Sequence, residues 1–291
     1  MKTKQNLRFF RSFAIFVCGC LLEILTGCST VDSISATSFG SAATATSQQA
    51  DTTFAAINTL TSQSIIEHAS QQPSLNPDNF YQVVPSEVIS GWDSAFSAMS
   101  SYAQALSTLS SAGTQESAPS AISNFASNIE AQTKSNTLPG LNSAFVDVAT
   151  ALEKAKNSHD AYKVAVTVDS SIQKIVQTMA DTIGATNQDG LRHTVALNYR
   201  IGLMGPLEVE FSSSNDKLNL AKQYATVLDQ RAAADLQLAS LRTSILALGI
   251  AHHAIVTKSS ASFTTALATI NQQLTLAQKT LSDIKQSSTG K

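Results

Sequence analysis

Large apolar residues are spaced in three different ways along the chain, and each spacing marks a different kind of segment. From Phe13 to Leu22 they form a nearly unbroken run. From Ser29 to about Thr46 they almost vanish among Ser, Thr and Ala, which reads as a flexible tether. Beyond that they recur every three or four residues, the period of a helix with one buried face. Phe54, Ile57 and Ile65 mark a first helix, and Val88, Trp92, Phe96, Met99, Ala103 and Leu106 a second. Ile122, Phe125 and Ile129 suggest a short third helix. Ala161, Ala165, Val168, Ile172, Ile175 and Met179 lie on a longer fourth that falls between Leu141 and Ile183. Clusters of Gly and Pro, such as Pro73, Pro77 and Pro85 or Gly184 and Gly190, separate these pieces.

The clearest pattern lies in the last third. Leu220, Tyr224, Val227, Arg231, Ala234, Leu238, Leu241, Ile245, Leu248, His252 and Ile255 keep a four-three spacing, and so do Phe263, Leu267, Ile270, Leu274, Ala277, Leu281 and Ile284. Two such stripes joined near Thr257-Lys258-Ser259-Ser260 predict an antiparallel, coiled-coil-like hairpin whose first arm is about 54 Å long at the standard helical rise. One stretch departs from this period. Val195, Leu197, Tyr199, Ile201 and Leu203 alternate by two, Gly205-Pro206 interrupts, and Leu207, Val209 and Phe211 alternate again. That predicts a small β-hairpin at 195–211, with a helix from about Leu191 to Met204 as the competing reading. The expected fold class is thus all-α: an elongated antiparallel helical bundle over residues 47–291, in which 195–211 forms either one small β-hairpin insertion or a further helix.

The apolar run at the start follows Lys2, Lys4, Arg8 and Arg11 and is followed by small residues before Cys28, the layout of a secretory signal. It is too short for a comfortable membrane span. The tetrapeptide Leu25-Thr26-Gly27-Cys28 resembles the lipobox of bacterial lipoproteins. The resemblance covers about a tenth of the chain. It implies a signal peptide over 1–27, lipid attachment at Cys28 and a tether over 28–46. A plain secretory peptide with an incidental Cys28 is the competing reading. The resemblance further implies, for a Gram-negative source, sorting to the outer membrane, because Ser29 rather than Asp follows the cysteine. In a cell with one membrane it implies the outer face of that membrane.

Charge and reactive residues narrow the function classes. Residues 28–291 hold 15 basic against 20 acidic side chains, a formal net charge of −5, which lacks the basic footprint of a nucleic-acid binder. Cys18, Cys20 and Cys28 are the only cysteines, so the domain beyond them has no disulfide, thiolate metal site or cysteine nucleophile. His252 and His253 are adjacent and diverge by about 100° on a helix, a poor arrangement for one metal ion. His252 falls on the hairpin seam and reads as a hydrogen-bonded core histidine; His68, His159 and His193 are isolated. No serine sits in a nucleophile elbow, and no phosphate-binding glycine motif occurs. Glu208 and Glu210 read as solvated edge charges, and Arg231 with Asp235 one turn on as an ion pair within the bundle. Gly249 interrupts the most apolar stretch and suggests a close helix crossing.

These features predict a protein that is no enzyme and needs no cofactor or metal. The expectation is a lipid-anchored binding or scaffold module for another envelope protein. Long helices around a β-hairpin also resemble, in outline alone, the α-helical pore-forming toxins, which gives a membrane-active protein as the alternative.

Overall fold

A computed structural model describes residues 33–70, 73–77, 80–111, 117–135, 138, 140–155 and 160–289. All of them belong to one unit, Val31–Lys291. The first helix, α1, spans Ser33–Ser70, and α2 spans Ser86–Ser110. Three shorter helices follow, α3 (Ser117–Ser135), α4 (Leu141–Ala155) and α5 (Ala161–Ile183). Next comes a broken helix made of α6 (Gly190–Asn198), a π-helical segment (Tyr199–Met204) and α7 (Gly205–Ser213). The long pair α8 (Lys217–Val256) and α9 (Ser260–Thr289) completes the bundle. No strand occurs among the described residues, and the all-α bundle is the fold the spacing predicts.

The C-terminal stripes form the seam expected of them. Leu220, Val227, Ala234, Leu238, Leu241, Ile245, Leu248, His252 and Ile255 are buried on α8, as are Phe263, Ile270 and Ala277 on α9. The chain turns at Thr257, Lys258 and Ser259, with Lys258 at φ 55°. Gln237 Nε2 donates to Ala277 O at 2.7 Å and Ser240 Oγ to Gln273 O at 3.0 Å, pairs that run in opposite directions and confirm the antiparallel register. α1 lies antiparallel to both α2 and α8. Thr37 and Thr44 bond to Ser107 and Ser100 on one side. On the other side Gln49 bonds to Ser240 and Ser244. Phe54, Trp92 and Phe96 form one aromatic group in the core; Phe39, Tyr102, His252, Phe125 and Phe145 form a second.

Two expectations are corrected. Residues 33–46 of the expected tether are helical, and Ala36, Phe39, Ala43 and Thr46 are fully buried. Their small side chains let α1 lie close against its neighbours, and hydroxyls of Thr37, Thr44 and Thr46 bond back to carbonyls four residues earlier. A segment poor in large apolar residues is here a tightly packed helix, because burial by close approach replaces burial by bulk. Residues 28–32 and the signal peptide lie outside the described residues.

The second correction is the β-hairpin at 195–211. Its alternation by two is the sum of two helical faces: Val195, Tyr199 and Leu203 are buried at four-residue spacing, while Leu197, Ile201 and Val209 are exposed. Pro206 supplies the physical reason for the π segment. Proline has no N–H for the ladder and its ring crowds the carbonyl four residues back. The helix widens at this point instead of ending, so that Gly205 N–H donates to Arg200 O, five residues earlier.

The turn between α5 and α6 is built on Gly184 and Gly190, both at positive φ, where a methyl group would fall within 3 Å of backbone atoms. Asp189 closes it by accepting from the amides of Ala185 and Thr186.

Candidate functional site

Asp169 on α5 gathers the most connected group of titratable side chains in the bundle. His252 Nδ1 lies 2.9 Å from one carboxylate oxygen, and His253 Nδ1 lies 2.8 Å from the other. Gln173 Nε2 adds a bond of 3.2 Å to Asp169 Oδ1 and one of 2.9 Å to the carbonyl of Gly249. A carboxylate only accepts, so both imidazoles donate from Nδ1. That leaves Nε2 of neutral His252 as the acceptor of Tyr102 O–H, at 2.8 Å. The chain Tyr102–His252–Asp169–His253 thus joins α2, α8 and α5 with a fixed direction of donation.

Burial separates the two histidines. His252 is wholly buried and pressed against Phe39 and Tyr102, whereas 58% of the His253 side chain is exposed. Adjacent residues on a helix diverge by about 100°, yet both reach Asp169 because it offers an oxygen to each. The hydrogen bond from His252 first, with those from His253 and Gln173, holds Asp169 well below the usual carboxylate range. Burial pushes His252 below its ordinary value, against the pull of Asp169, so the ring stays neutral. Burial likewise pushes the Tyr102 phenol up.

The arrangement fixes His253 through Nδ1 and turns its Nε2 away from Asp169. Among the described residues, no hydroxyl nucleophile is bonded to that ring, and no group of three or more His, Cys, Asp or Glu could hold a metal ion. The cluster is a three-helix clasp.

The close crossing expected at Gly249 is present. A methyl there would stand 2.9 Å from Gln173 Oε1 and 3.1 Å from Val176 Cγ1, so the missing side chain is what lets Gln173 reach the Gly249 carbonyl. His193 is exposed; His159 and the side chain of His68 lie outside the described residues, as does Cys28.

The expected pairing of Asp235 is corrected. Asp235 binds Arg192 of α6 with two bonds of 2.8 Å rather than Arg231, and Arg192 Nη1 reaches Ala185 O at 2.6 Å. Arg231 lies one turn from Asp235 in sequence, but the fork of Arg192 matches a carboxylate from the facing helix. Glu208 and Glu210 are exposed on α7 rather than on a strand, and Glu208 accepts from Tyr224 O–H at 2.7 Å.

Sequence reasoning missed Asp169 and Tyr102. Asp169 adjoins Val168 in the α5 stripe and has Gln173 one turn on, a polar pair beside an apolar seam; nothing in one dimension connects it to His252, 83 residues away. A second polar layer was equally hidden: Gln49, Gln237, Ser240 and Ser244 are all buried between α1 and α8. On the outer side, by contrast, α7 buries no residue at all, and the broken helix exposes Leu197, Ile201 and Val209. Comparison with protein-family models, with curated proteins and with solved structures finds no match.

Proposed function

We propose that the chain is a bacterial lipoprotein, anchored through lipid on Cys28, whose helical domain serves as a binding or scaffold module for another component of the cell envelope. The observation that carries the reading is the sequence Leu25-Thr26-Gly27-Cys28 behind a basic flank and an apolar run. A hydrogen-bonded clasp without an adjoining nucleophile suits a scaffold. In a Gram-negative cell, Ser29 assigns the protein to the outer membrane, facing the periplasm.

Cys28→Ser tests this in the native host. The expected result is loss of labelled palmitate and release of the protein from the membrane fraction; label retained on the variant removes the reading.

A membrane-active role is the second reading, and α8 is the feature that favours it. This helix is long and apolar enough to cross a membrane, although 61% of its apolar window is buried in the bundle, as the core helix of a soluble protein would be. Leakage of dye from liposomes on adding the purified protein is the outcome that would favour it over a scaffold.

A further inference from the structure

The broken helix from Gly190 to Ser213 covers the core with one face and leaves the opposite face open. Leu197, Ile201 and Val209 project from it at 45%, 66% and 74% exposure, on positions that differ by four or eight residues, and Gly205 takes the position between the last two. Tyr81 borders this face, its Oη 3.0 Å from where a methyl on Gly202 would sit. Exposed apolar residues scattered singly are ordinary, but these stand in register along one helix and form a single apolar strip.

The charges beside the row identify what fits. Arg200 stands five residues before Gly205 and Glu208 three residues after it, and both are exposed. Glu208 bonds to Tyr224, and Arg200 is near enough to act on the same phenol, so the two charges flank the row on one side. Arg200 makes no ion pair among the described residues.

We propose that this face docks a second copy of the chain, the two helices crossing antiparallel about a two-fold axis at Gly205. Such an axis sets like flanks together with opposite direction. Ile201 then meets Val209 of the second copy, and Arg200 approaches its Glu208, each contact being made twice. A parallel crossing would instead send the Arg200–Glu208 flanks of the two copies to opposite edges of the contact, where neither charge meets its complement. Gly205 lies at the crossing, where a side chain would hold the backbones apart. A bilayer fits less well, because Glu208, Glu210 and Asp216 would have to enter or face it beside the apolar row. A single helix crossing, even with Tyr81 at its border, covers less than the roughly 1,200 Å² at the lower end of stable interfaces, so the dimer is a weak one, with a dissociation constant of about 1–100 μM.

Sedimentation of the purified full chain in mild detergent, over concentrations spanning that range, tests the proposal. A reversible monomer–dimer equilibrium is expected. Arg200→Glu and Glu208→Arg should each weaken it at least tenfold, and the double exchange should restore it. Ile201→Glu, at a site already two-thirds exposed, should abolish it with an unchanged melting temperature, which separates lost docking from lost folding. A wild-type chain that stays monomeric overturns the proposal. So does a dimer insensitive to Arg200→Glu and Ile201→Glu, or a double exchange that folds without regaining association. Liposome binding lost in Ile201→Glu while the wild type remains monomeric would assign the face to lipid instead.

Discussion

His252 and Asp51 titrate in opposite senses, and their balance sets how the domain responds to acid. His252 is held neutral, with its folded value below the ordinary 6.5 because burial disfavours the cation. The unfolded chain therefore binds a proton that the folded one refuses, and stability falls as pH drops below about 6.5. Asp169 extends the loss below its ordinary value of 3.8, since its folded carboxylate resists protonation. Asp51 behaves in reverse. Desolvation where it meets α2 and then the neighbouring Asp93 carboxyl push it up to about 6, so the charge of this exposed residue opposes folding modestly above that pH and the opposition is relieved between 6 and 3.8. Asp51→Asn should accordingly raise the melting temperature at pH 7–8, with the gain fading towards pH 4. In that variant the decline due to His252 should stand out between pH 7 and 5. Melting curves across this range check both signs; a variant less stable than wild type at pH 8 would contradict the assignment for Asp51.

At the scale of elements, the two long helices were legible and their polar attachments were not. The seam of α8 was readable because its period of three and four survives every substitution of one apolar residue for another. Leu241, wholly buried in it, should lose about 2–5 kcal/mol on replacement by Ala, through lost transfer energy and a residual cavity. Gln223, exposed on the same helix, should change stability by no more than about 0.5 kcal/mol, and chemical denaturation distinguishes the two. Partner choice among charges was not readable, since helix position alone favoured Arg231 for Asp235. The fork of Arg192, whose side chain is 12% exposed, ties the α5–α6 turn to α8. Arg192→Ala should cost about 1–3 kcal/mol, less than a fully buried pair because Asp235 keeps some access to water. Arg231→Ala should cost little, and equal losses in the two variants would put the ion pair back where the sequence suggested. The α1 segment and the broken helix were misread for a shared reason. Hydrophobic pattern reports bulk and alternation, and neither Ala–Thr close packing nor two superposed helical faces has a distinct signature in it.

Across the whole described domain, burial is uneven. Between Ala234 and Ile255, α8 is buried against α1, α5 and α9 and is tied by the Asp169 clasp and by the Gln49 layer, whereas before Ala234 only Leu220 and Val227 are buried on it. This gradient has a consequence in time. Local opening costs least where few apolar contacts must break, so amide hydrogens should exchange with solvent through separate openings rather than one concerted event. Deuterium uptake measured by mass spectrometry should be fast over 205–213 and slowest over 238–255, with rates differing by about 100-fold or more, an opening difference of roughly 3 kcal/mol. Uniform exchange along α8 would show that the helix opens as one piece. For α7, where no residue is fully buried and Leu207 packs only partly against the core, the implication is that the helix opens and re-forms many times within a single lifetime of the core around His252.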